Sequence, residues 1–80
     1  MITWRFNSNM NYQGEFHDMF VDGEYANAWI QRMSPSGSQW AFVIGLVHGG
    51  QGHTVVRHSF AEAQADGIAW WAAQQMEKMR

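Results

Sequence analysis

Between Ile2 and His58 the sequence is cut into short runs in which apolar residues recur at every second position, and only after Ser59 does the period lengthen to 3.6. A period of two sends side chains alternately to the two faces of a strand, whereas 3.6 gathers them on one side of a helix. The chain is therefore constrained to a set of short strands followed by one helix. "ITWRFN" sets Ile2, Trp4 and Phe6 against Thr3, Arg5 and Asn7, the pattern of a half-buried strand. "SNMNYQG" is a loop by composition, and "EFHDMFV" runs into "DG", a strong hairpin signal when alternating runs flank it. In "EYANAWIQRM" one face carries Tyr25, Asn27, Trp29, Gln31 and Met33 and the other Ala26, Ala28, Ile30 and Arg32. The weaker apolar pattern there leaves a short helix within residues 15–33 as the alternative. Pro35 and Gly37 in "SPSGS" set turn dihedrals and separate two strands. "QWAFVIGLVH" is apolar on both faces, with Trp40, Phe42, Ile44 and Leu46 on the heavier one and Ala41, Val43 and Val47 on the lighter. Such a strand lies centrally or leaves an apolar face in need of a partner. "HTVVRHS" is the last strand.

Ser59 stands three residues before Glu62, the spacing of a capping box in which the two residues satisfy orphan backbone donors reciprocally. The helix that starts there gathers Ala61, Ala65, Ile68, Ala72, Met76 and Met79 on one side, flanked by Trp71, and that side is expected to pack on the sheet. Trp70 falls on the opposite side with Asp66, Ala73, Gln74 and Glu77, where this period predicts water. Either it covers a neighbouring loop or it anchors an interface, a role in which Trp is enriched. The expected fold is α+β: an antiparallel sheet of three to five strands with one C-terminal α-helix on a face.

Size and composition bound the function. A single domain of 80 residues buries only about 60–65% of the surface of its unfolded chain, so large side chains must supply the core. Five Trp, five Phe and two Tyr against a single leucine, Leu46, assign that task to aromatics. No cysteine is present, which excludes disulfides and thiolate zinc sites and leaves packing, oligomerisation or a histidine and carboxylate metal site. No run of 18 apolar residues occurs, and the amino terminus lacks the sections of a signal peptide, so a cytoplasmic protein is expected. The basic residues Arg5, Arg32, Arg57, Lys78 and Arg80 are scattered and the net charge is −2, which argues against direct nucleic-acid binding. Glu15, Asp18, Asp22 and Glu24 fall within ten positions with no Lys or Arg among them. They form either a solvated loop face or a docking patch for a basic partner surface.

"VHGGQGHTVV" holds the residues that look most like chemistry. Four residues separate His48 from His53, a hairpin-loop length, so the two imidazoles are expected to face each other across the hairpin base. Solvated polar residues are the ordinary reading. A zinc site with a third ligand from His17 or Asp18 is the alternative, and no cofactor is otherwise implied. His58, five residues beyond His53, belongs to the other face. "GGQ" resembles the tripeptide of peptide release factors and "HGGQG" the oxyanion loop of some lipases. The chain lacks the basic stretch of the former and the G-x-S-x-G nucleophile elbow of the latter, so no enzyme is expected.

In architecture and composition the whole chain resembles the small phage and mobile-element proteins that disarm bacterial defence, among them many anti-CRISPR proteins. No motif carries over. What the resemblance implies is a non-catalytic, stoichiometric inhibitor that masks a nucleic-acid-binding or docking surface of a larger complex, with Glu15, Asp18, Asp22 and Glu24 entering a basic groove. Trp70 and Glu77 complete the expected contact set. The alternative is a homo-oligomeric structural or accessory phage protein, possible as a homodimer, with Trp70 or the lighter face of "AFVIGLV" at the contact.

Overall fold

The computed structural model describes residues 1–7, 15–33, 38–46 and 51–79. Strands β1 (Ile2–Asn7), β2 (Phe16–Val21), β3 (Glu24–Arg32), β4 (Trp40–Gly45) and β5 (Gln51–Arg57) precede helix α1 (Phe60–Lys78). The strands pair antiparallel in chain order, β1-β2-β3-β4-β5, as an open meander with β1 and β5 at its edges. The helix lies over β3, β4 and β5, giving the α+β fold with five strands. Residues 16–32 form two strands and their turn, so the helical alternative for this region falls away.

Local chemistry accounts for the hairpin. Asp22 and Gly23 have φ of 52° and 88°, and two positive φ angles make a type I′ turn, whose twist matches that of the flanking strands. Further along, Asp18 pairs with Trp29 but Phe20 pairs with Tyr25, so β3 carries extra residues against β2. The bulge is taken up at Asn27, whose φ of 55° lies in the left-handed region that Asn tolerates. It turns both Ala26 and Ala28 towards the helix.

The core lies between the sheet and α1. Met19, Ala28, Ile30, Phe42 and Ala63 are buried, with Trp4, Trp40, Phe60, Trp70 and Trp71 packed around them. Aromatics thus carry much of the burial, as a chain with one leucine requires. The helix, however, is turned the other way round from the expectation. Its sheet-facing side is Phe60, Ala63, Gly67, Trp70 and Trp71, and its buried residues are Ala63 and Gly67. Ala61, Ala65, Ile68, Ala72, Met76 and Met79 are exposed. The reason is close approach: a Cβ at residue 67 would stand 2.7 Å from Trp4 Cη2 and 3.1 Å from Phe42 Cε1, so only glycine lets the helix axis settle onto these rings. Trp70 then reaches Phe42, ring centroids 5.9 Å apart, and is core-packed rather than solvent-facing.

The N-cap forms with a variation. Ser59 Oγ accepts from the Glu62 backbone N–H at 3.1 Å, and the Glu62 carboxylate lies 3.1 Å from the same hydroxyl, which donates to it. One helix flank is tied to the sheet by Arg57 of β5, whose guanidinium donates two hydrogen bonds to Asp66, at 2.7 and 3.1 Å. Among the described residues no helix is long and apolar enough to cross a membrane.

Candidate interaction surface

The four clustered acidic residues do not form one patch. A strand advances about 3.3 Å per residue, so Glu15 and Asp22 lie at opposite ends of β2, on the order of 20 Å apart. Glu15 is held on the helix side, its carboxylate 3.1 Å from Arg32 Nη1 and 3.3 Å from His17 Nε2. Asp18 points to the other face, where it accepts from Asn7 Nδ2 at 3.0 Å. Asp22, in the turn, pairs with the amino-terminal ammonium of Met1. Glu24 is exposed and has no ion pair among the described residues.

A different grouping emerges on the sheet face turned away from α1. The pairings Asp18 with Trp29, Phe20 with Tyr25, and Phe16 with Gln31 place these side chains on that face, joined by Ala41, Val43 and Val56 from β4 and β5. No described helix or strand covers it. Phe20 and Tyr25 stack at 5.7 Å between centroids, and Arg5 lies over Phe20 at 4.2 Å, a cation–π distance. The Trp29 indole N–H donates to Gln31 Oε1 at 2.9 Å. Tyr25 is half exposed, yet partial burial, with Asp18 nearby as a second cause, holds its phenol above the usual tyrosine range. Val43 and Ala41 are fully buried, which resolves the two-sided apolar pattern of β4 as that of an interior strand buried on both faces. Aromatic groups central and polar groups at the rim are the composition of a protein interface.

This face adjoins a groove of about 500 Å³ at the β2–β3 turn, lined by Val21, Asp22, Glu24, Tyr25, Ala26, Asn27 and Trp71. Its lining combines two carboxylates with two aromatic rings, which suits a cationic group. Lys78 already stands 5.7 Å over the Trp71 ring.

The remaining expected site residues are dispersed. Glu77 is exposed near the C-terminal end of α1, and Trp70 belongs to the core. His48 lies outside the described residues. His53 is exposed on β5, and the ladder pairs Gly45 with Gln51 and Val43 with Thr54, so the residue across from His53 is near Ile44. The expected facing of His48 and His53 across a hairpin base therefore lies outside the described residues. The expected third ligands are distant from His53. Position 17 is three strands from β5, about 14 Å, and His17 sits among Phe6, Trp40 and Phe60, the last with centroids 4.5 Å apart. Among the described residues no group of three metal-ligating side chains comes together.

Sequence reasoning missed Phe20 and Trp71 as interface candidates. Phe20 could have been found from the hairpin register, because a two-residue "DG" turn sets it opposite Tyr25. Comparison with protein-family models, with curated proteins and with solved structures found no match.

Proposed function

We propose that this chain is a non-catalytic protein-binding module that engages a heterologous partner through the face of its sheet turned away from α1. The observation that carries the reading is the contiguous set Phe20, Tyr25 and Trp29, with Asp18 among them. Asp18 on this face would take up a Lys or Arg of a partner's basic surface, and the rings give such a group a surface to stack on. In its most specific form, which the likeness to anti-defence proteins suggests, the chain acts in the cytoplasm as a stoichiometric inhibitor, occupying a docking or nucleic-acid-binding surface of a bacterial defence complex.

Tagged wild-type protein, Tyr25→Arg and Met79→Arg are compared for what each retains from a bacterial lysate, quantified by mass spectrometry. The reading predicts a partner at near-equimolar ratio with wild type and with Met79→Arg, but depleted at least tenfold with Tyr25→Arg, since central aromatic anchors contribute about 2 kcal/mol or more. Equal retention by all three would remove the sheet face from the account. Asp18→Lys should weaken capture most at low salt, where charge steering is least screened.

A further inference from the structure

One charge at the β2–β3 hairpin is left over. Glu24 stands directly opposite Val21 and two residues before Ala26, and both of these pack against the core, so its carboxylate is on the α1 side of the sheet. There it lines the groove of about 500 Å³ together with Val21, Ala26 and Trp71. The other carboxylate at this end, Asp22, is taken by the amino-terminal ammonium of Met1. The Glu24 carboxylate has no hydrogen bond or ion pair among the described residues.

The remaining walls are apolar, and one of them already attracts a cation. Val21 and Ala26 supply aliphatic surface, and the Trp71 ring carries the Lys78 ammonium 5.7 Å from its centroid, within cation–π range. Charge complementarity then selects the occupant. An anion would be repelled by Glu24 and Asp22, and a neutral apolar group would cover the Glu24 carboxylate without satisfying it. An ammonium on a four-carbon stem meets both requirements, because its methylenes lie along apolar surface while its head stays polar.

We propose that this groove is a binding site for a lysine side chain of another protein, with Glu24 receiving the ammonium and Val21, Ala26 and the Trp71 ring seating the stem. Lys78 is the internal competitor, since its ammonium holds the same ring and repels a second cation there. The site lies on the α1 side of the sheet, away from Asp18, Phe20 and Trp29, and does not rest on the partner proposed for that face.

Titration with N-acetyl-lysine methylamide, followed by the indole N–H resonances of isotope-labelled protein at matched ionic strength, tests the site. Its neutral counterpart, acetylated on the side-chain nitrogen, is the control compound, and the Trp29 indole on the opposite face is the internal reference. The Trp71 resonance is expected to shift saturably with the lysine compound, with a dissociation constant on the order of 1–10 mM, and to stay in place with the neutral one. Glu24→Gln should weaken binding about threefold, the worth of one exposed charge pair, and Lys78→Met, which keeps the stem and removes the ammonium, should tighten it. Equal shifts with the two compounds, a Trp29 resonance that moves along with Trp71, unchanged affinity in Glu24→Gln, or no gain in Lys78→Met overturns the proposal.

Discussion

At position 67 the preference of the helix and the demands of its contacts oppose each other. Alanine is the better helix former by about 1 kcal/mol, yet its methyl group would meet Trp4 at 2.7 Å and the buried Phe42 at 3.1 Å. Overpacking of this kind costs about 1–3 kcal/mol, so the contacts win. Gly67→Ala should lower stability by about 1 kcal/mol, seen in a thermal melt as a midpoint fall of roughly 4–8 °C. In a Trp4→Leu background, where the obstructing ring is gone, the same change should become neutral or stabilising. A Gly67→Ala that stabilises the wild-type chain would mean that Trp4 is not wedged under the helix. This is a contact between residues 63 positions apart, and nothing in the local sequence announces it. By contrast, Asp22-Gly23 is legible at sight, because its two positive φ angles are a requirement of the turn itself.

Among the elements, strands separated by strong turn residues were legible, and the faces of β3 and β4 follow directly from their alternation. The orientation of α1 was not, because a period of 3.6 selects two stripes on this helix and counting apolar residues favours the one that remains exposed. Size is the better signal: Phe60, Trp70 and Trp71 are ten and eleven residues apart, three helical turns, and so share a side with far more apolar area than the alanine stripe. The β4–β5 register was hidden for another reason. Four glycines at 45, 49, 50 and 52 permit several loop closures, so the loop composition alone does not select the pairing of Gly45 with Gln51. The helix start depends on a single cap. Ser59→Ala removes the acceptor for the Glu62 N–H and should cost about 1 kcal/mol by chemical denaturation, while Ser59→Asp, which still accepts, should retain most of the stability. Equal losses in the two variants would assign the effect to something other than capping.

For the molecule as a whole, one helix on a five-stranded sheet leaves a great deal of apolar surface for 80 residues to cover. The sheet face turned away from α1 joins the rings of Phe20, Tyr25 and Trp29 to Asp18 and Arg5, and it is the surface proposed for a different protein. The acidic segment was legible as a feature but not as a site, because strand geometry splits it between two faces and two ends and leaves Asp18, of the four, beside the aromatics. The most direct test replaces Tyr25, in one variant, and Glu77, in another, with a photoreactive phenylalanine analogue and irradiates producing cells. The account predicts a discrete adduct to a different, basic-surfaced protein from position 25 and none to that protein from position 77. An adduct from position 25 only to a second copy of the chain, or the same adducts from both positions, would contradict it.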